Sequence, residues 1–283
     1  MTAIMDYDEK NIIDGLVMNN SRLTAKDSET DIREIVLKIN SPTFNIKTGQ
    51  SIGIIAPIDP AFGKKNIMRQ YTIAGTDDSD NTVRICVKRC FYLDFINGEQ
   101  YKGTVSNYIC DLNEGNTINL VGPYGMPFKV PNNKSADLLM IGLGTGIAPF
   151  RALVNHIYDT LGGWDGKVRL FYGAKTGVEM AYMNNEQNDF DLYYDKKTFK
   201  AFEAVSPRPH FDSPVALDDA LKQNAEEVWA MIQNPDTHIF MAGLKVIRDL
   251  TDAAFAEMAG SEQAWKDCVQ ELKDAGRWQE VIY

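Results

Sequence analysis

Cysteine and histidine are scarce in this chain, and neither falls into a metal-binding pattern. Cys86, Cys90, Cys110 and Cys268 contain no CxxC pair. An iron–sulfur cluster needs four closely spaced thiolates, so none is expected, and a disulfide framework is out of place in so large and cysteine-poor a chain. The histidines at 156, 210 and 238 are too dispersed for a His-based metal site. No metal is therefore predicted, and any redox chemistry must use a bound organic cofactor. Long apolar runs are also missing: nothing approaches the roughly 18–20 residues of a membrane helix. The opening MTAIMDYDEKN is acidic and has neither a basic nor an apolar signal region. A cytoplasmic protein without a membrane span is expected. Basic residues are outnumbered, 29 against 39 acidic, for a formal charge of −10. That argues against a general nucleic-acid binder, which concentrates Lys and Arg on phosphates. Local basic surface is still open to Lys88-Arg89 and Lys64-Lys65, facing an acidic partner.

What is present divides in two. Short β-branched runs bounded by Gly, Pro, Asn or Asp fill the first half: IREIVLKI (32–39), QSIGIIAP (50–57), RQYTIAG (69–75), TVRICVKRC (82–90) and TINLVGP (117–123). Many short strands without long helices predict an antiparallel β-barrel. A polar break, VPNNKSAD (130–137), precedes a different pattern. The apolar runs DLLMIGLG (137–144), KVRLFYGA (167–174) and THIFMAG (237–243) are separated or followed by helical stretches at 150–161, 216–232 and 246–259. Alternating strands and helices predict an α/β, Rossmann-like parallel sheet. The expected domains are therefore 1–133 and 134–283.

The segment GLGTGIAPFR (142–151) follows the first buried strand. Its glycines permit a tight turn and close backbone approach to a ligand, and the following helix aims its positive end there. Pro149 suits the first turn of that helix. Ile147 replaces the third glycine of a GxGxxG pattern, so this segment alone is only moderately informative.

Its neighbours make it specific. In order come RQYT (69–72), CVKRCFY (86–92), KGTVSNYICDL (102–112), GPYGMPF (122–128), GTGIAPFR (144–151), FYGAK (171–175), AVS (204–206), AGLK (242–245) and a final Tyr283. This ladder resembles that of the plant-type ferredoxin–NADP⁺ reductase family over nearly the whole chain. The resemblance implies an FAD-binding β-barrel domain followed by an NAD(P)-binding α/β domain. It also implies electron transfer between NADPH or NADH and a one-electron carrier: ferredoxin, flavodoxin or another acceptor protein. A reductase component of a multicomponent oxygenase, or a redox-silent flavin- or nucleotide-binding subunit, remains open beside it.

Carried over residue by residue, the resemblance implies these roles. Arg69 pairs with the FAD diphosphate, with Gln70 beside it, Tyr71 stacks on the isoalloxazine, and the Thr72 hydroxyl serves the flavin N5 region. Cys86, Val87 and Lys88 belong to the next flavin-contacting strand, and Tyr92 stacks on the adenine. Gly103, Thr104, Val105 and Ser106 form a second diphosphate clamp. On the dinucleotide side stand Lys88, Gly144, Thr145, Gly146, Ala174, Lys175, Ser206, Arg208, Gly243 and Leu244, with Thr145 touching flavin and nicotinamide alike. Tyr283 covers the other flavin face, and Thr72 and Tyr283 are the implied catalytic pair.

The chain departs from the pattern in three places. Ala242 replaces the family's Cys. Val281 stands where Glu is usual, with Glu280 one residue away. Pro207 separates Ser206 from Arg208, and Ala216 stands about where an adenine-stacking Tyr is expected. Asp218 and Asp219 would repel a 2′-phosphate if they face it, or simply favour a helix start.

Overall fold

The computed structural model describes residues 11–41, 43–58, 66–77, 79–126, 128–194, 198–205 and 216–283. The chain divides into two compact units, Met1–Phe128 and Lys129–Tyr283.

In the first unit the strands are β1 (Ile13–Arg22), β2 (Ile32–Ile39), β3 (Ser51–Pro57), β4 (Asn66–Asp77), β5 (Thr82–Lys88), β6 (Phe91–Leu93), β7 (Gln100–Lys102) and β8 (Thr117–Tyr124), with one helix, α1 (Thr104–Asp111). Six of them close a barrel in the order β1-β2-β5-β4-β3-β8, and β6 pairs with β7 as a separate hairpin. The barrel ladders are antiparallel. Alternation drives closure. Ile35 and Leu37, Ile52 and Ile54, Ile73, Ile85 and Leu120 are fully buried in one interior cluster. Burying each such side chain is worth about 1.5–3 kcal/mol. Val105, Ile109 and Cys110 of α1 join that cluster, so the helix is anchored by its apolar face against the barrel. β1 escaped the sequence reading because its run IDGLVMNNSR is half polar. The structure accommodates it through a bulge between Val17 and Asn19.

In the second unit the strands are β9 (Asp137–Leu143), β10 (Val168–Ala174), β11 (Phe199–Val205), β12 (Thr237–Gly243) and β13 (Trp278–Ile282). The helices are α2 (Ile147–Asn155), α3 (Asp191–Tyr194), α4 (Leu217–Gln223), α5 (Ala225–Gln233), α6 (Val246–Ala259) and α7 (Glu262–Asp274). The sheet is parallel, ordered β11-β10-β9-β12-β13. Central β9 has Leu138, Leu139, Met140 and Ile141 fully buried, as a strand covered on both faces requires. From β9 the chain winds outward to β10 and β11 on one side, then to β12 and β13 on the other. The switch point, where such sheets place ligands, lies at the carboxyl ends of β9 and β12.

The pattern at 216–232 reads as one helix but forms two. Asn224 breaks it with φ −115° and ψ 24°, and its side-chain amide donates to the Ala220 carbonyl at 2.9 Å. The stretch at 150–161 starts earlier, at Ile147, and finishes in a π-helical turn over His156–Thr160.

Candidate functional site

Two clusters of the predicted residues form, one in each unit. In the first unit, Arg69 to Thr72 lie along β4, which pairs with β3 so that Ser51 faces Thr72 and Gly53 faces Gln70. The Thr72 and Ser51 hydroxyls are 3.1 Å apart, which fixes the Thr72 rotamer. Arg69 donates to its neighbour's carbonyl on Met68 at 3.1 Å. Tyr71 packs its half-buried ring against the barrel interior, and burial pushes its hydroxyl well above the ordinary phenol range. The ring therefore stays neutral at any physiological pH and presents an apolar face. A Cβ on Gly53 would lie 2.8 Å from Met68 Sδ and 2.9 Å from Val121 Cγ2, so packing beneath this strand demands glycine.

Beside it, β5 runs into the turn Arg89–Cys90 and the β6–β7 hairpin, which returns to α1. The side chains of Cys86 and Val87 are buried and that of Lys88 is exposed. The first two therefore serve packing, and only Lys88 extends its side chain into solvent. Tyr92 stacks on Tyr101 within the hairpin, with centroids 5.7 Å apart and rings 21° from parallel. This leaves Tyr92 more than half exposed as an open aromatic platform.

α1 opens on Gly103, with no side-chain cap and no acidic residue in its first turn. The N–H groups of Thr104, Val105 and Ser106 have no acceptor within the helix, which makes this end a seat for an anion. A Cβ on Gly103 would lie 3.0 Å from Ser106 Oγ and 3.2 Å from Cys90 Cβ, a tight fit that glycine relieves. The residues present thus fit a diphosphate: backbone donors, a hydroxyl and a glycine-cleared surface. Arg89 is not the surface cation expected from the sequence. It is mostly buried, bonded to Asp31 at 2.9 Å and Asp111 at 2.7 Å.

In the second unit, Gly144–Gly146 form a 3₁₀ turn between β9 and α2. Gly144 takes φ 58°, the left-handed region that favours glycine. Gly146 is required by proximity: a Cβ there would lie 2.1 Å from the Ala242 carbonyl oxygen. The turn therefore rests directly on the end of β12. Thr145 Oγ1 meets the Tyr283 hydroxyl at 2.9 Å, and the Tyr283 amide donates to the Gly243 carbonyl at 3.1 Å. The last residue is thus held by backbone and ring at the switch point, beside exposed Leu244. At the end of β10, Ala174 is buried and Lys175 is exposed.

Ala242 is fully buried and pairs with Val281 across the β12–β13 ladder. Glu280 does not replace the missing carboxylate. Arg248 of α6 holds it at 2.5 Å and Trp278 Nε1 at 3.3 Å, on the helix side of the sheet. Ser206 and Arg208 lie outside the described residues, as do Lys64 and Lys65. The end of β11 and the start of α4 line a cleft of about 280 Å³, with Glu203, Ala204, Val205, Ala216, Asp219, Ala220 and Gln223 around it. Asp219 faces this cleft, whereas Asp218 leans toward Lys222 at 3.9 Å.

Sequence reasoning missed Asp31 and Asn107, whose only sequence signal is their place beside the turn residues they brace. Among the described residues no cluster of three or more His, Cys, Asp or Glu side chains is arranged to hold a metal, and no helix is long and apolar enough to cross a membrane.

Comparison with known proteins gives matches for both halves of the chain. A family described as oxidoreductase FAD-binding domain matches residues 21–128, and one described as oxidoreductase NAD-binding domain matches residues 140–252. The ferredoxin–NADP reductase of Spirulina sp is 30% identical over 288 residues, spanning 98% of this chain and 97% of that protein. The cyanelle ferredoxin–NADP reductase of Cyanophora paradoxa is 31% identical over 280 residues, covering 95% of this chain and 76% of its own. Among solved structures, the ferredoxin–NADP⁺ reductase of Plasmodium falciparum superposes with a TM-score of 0.74 at 19% identity, covering 98% of both chains. That last likeness speaks to the fold alone.

Proposed function

Because the chain belongs to the ferredoxin–NADP reductase family, we propose that it passes electrons between NADPH or NADH and a one-electron carrier protein, ferredoxin or flavodoxin, by way of bound FAD. FAD, when bound, supplies the exchange of one hydride for two single electrons. Everything else falls to the chain's own side chains and amides.

FAD binding is assigned to residues 1–133. Arg69 forks onto the diphosphate, whose second clamp is the α1 amides of Thr104, Val105 and Ser106 behind Gly103. Tyr71 offers its neutral ring face to the flavin, and Thr72, pinned by Ser51, directs its hydroxyl to the flavin edge. Gln70 and the backbone of Cys86 and Val87 flank these contacts, and the exposed Tyr92 ring receives the adenine.

Dinucleotide binding is assigned to residues 134–283, with help from Lys88. Gly144, Thr145 and Gly146 cradle the nicotinamide half at the switch point, together with Gly243 and Leu244. Ala174, Lys175, Ser206 and Arg208 line the path toward the adenosine. Tyr283 occupies the nicotinamide position until the dinucleotide displaces it. With Ala242 and Val281 in place of a thiol and a carboxylate, this subsite holds no titrating group at those positions, so catalysis rests on orientation. A cytoplasmic location is part of the proposal and fits four free thiols.

The observation that carries the reading is the glycine-led, uncapped end of α1 within a segment that matches oxidoreductase FAD-binding domains. The test is anaerobic stopped-flow mixing of the FAD-loaded chain with NADPH and, separately, NADH. Bleaching of the flavin, then reoxidation by ferredoxin or flavodoxin, is expected. A preparation that takes up no FAD, or a flavin that neither dinucleotide bleaches within minutes, would overturn it.

A further inference from the structure

Resting on the flavin reading above, we propose that Arg89 is a positioning residue for the cofactor diphosphate, holding the first turn of α1 in place without touching the ligand. α1 lacks a side-chain cap on its Ncap residue, and within its first turn Ser106 Oγ reaches back to the Gly103 carbonyl at 3.2 Å. The same two residues tie the turn to the strand-end loop before it. The Gly103 amide donates to the Cys90 carbonyl at 2.9 Å, and the Cys90 amide donates to Ser106 Oγ at 3.2 Å. Buried Asn107 donates from Nδ2 to the carbonyls of Cys90 and Gly103, both at 2.9 Å.

A carboxamide can serve those two carbonyls only while its oxygen points the other way. Arg89 holds it there: Nη1 donates to Asn107 Oδ1 at 3.2 Å and to Asp111 Oδ1 at 2.7 Å. Arg89 is itself anchored, Nε donating to Asp31 Oδ2 at 2.9 Å and its amide to the Asp31 carbonyl at 2.8 Å. Asp31 receives Arg33 at 3.0 Å and lies 3.6 Å from Arg22. Burial alone would raise the Asp31 carboxyl, but the hydrogen bonds from Arg89 and Arg33 outweigh it and hold the group below the ordinary carboxylate range. The anchor is therefore ionised at neutral pH. One guanidinium thus links the segment entering β2, the turn after β5 and the helix whose amides face the anion. Removing it frees the Asn107 amide to rotate, and the N–H groups of Thr104 to Ser106 lose their common aim.

The test compares two flavins on the apoprotein by fluorescence titration: FAD, which carries the diphosphate, and riboflavin, which carries the same ring and no phosphate. Arg89→Ala is expected to weaken FAD on the order of tenfold while riboflavin affinity stays within about twofold. Arg89→Lys keeps the charge beside Asp31 but not the planar fork, so it folds and still weakens FAD, on the order of threefold. Unchanged FAD affinity in both variants, or equal losses for both flavins, would overturn the inference and leave the flavin reading standing. Failure of the unaltered chain to take up FAD would overturn both.

Discussion

Replacing Tyr283 by serine tests the switch-point geometry most directly. Its amide donates to the Gly243 carbonyl and its hydroxyl meets Thr145. Of these two contacts the first is made by the backbone, so a side-chain substitution leaves it in place. The Tyr283 ring is 42% exposed, so its hydrogen bond is partly solvated and worth about 1 kcal/mol net. A dinucleotide that takes the same position must break that bond. Tyr283→Phe, which removes the hydroxyl alone, is expected to tighten NADP⁺ binding about fivefold. Tyr283→Ser also removes the ring's half-buried apolar surface, about 1 kcal/mol more, for a total of about thirtyfold. Calorimetric titration at one fixed ionic strength reads both numbers. Affinity that is unchanged or weaker in both variants would refute the idea that Tyr283 competes with the dinucleotide.

Two further outcomes follow from the second unit. Gly146→Ala places a Cβ 2.1 Å from a backbone oxygen of β12, where no flexible side chain can yield. We expect a loss of about 3 kcal/mol or more and a melting temperature lower by roughly 6 °C or more, with no dinucleotide binding; a variant that melts like the parent would show that the turn does not rest on β12. Asp219→Asn removes a carboxylate from the cleft beside β11 and should shift the NADP⁺ to NAD⁺ affinity ratio about threefold toward NADP⁺ at low salt, and less at high salt. A ratio that does not move would mean the cleft never meets the adenosine ribose.

Several parts of this architecture were legible in residue order. The β-branched runs at 32–39, 51–57 and 82–88 needed only alternation and flanking turn residues. The apolar runs ending at Leu143, Ala174 and Gly243 needed only length and hydrophobicity. β1 and β13 were not legible, because β1 is half polar and β13 has only five residues, and both are stabilised by ladder partners: β1 by β2 and β8, β13 by β12. α7 also went unread, since its mostly polar surface hides the buried pair Trp265 and Leu272.

By itself, the sequence determined which residue types stand where a ligand is proposed to bind: glycines at turns, a lone Arg on a strand, hydroxyls, and aromatic rings. Those depend on covalent chemistry and local backbone freedom. Only tertiary structure decided their working relations. It turned Arg89 from an apparent surface cation into a brace for α1. It assigned Glu280 to Arg248, and of two adjacent aspartates it turned Asp219 to the cleft. It also set Tyr283 against Thr145, 138 positions earlier in the chain. Such pairings depend on which distant segments the barrel and sheet bring within hydrogen-bonding range, and no local pattern of residues encodes that distance.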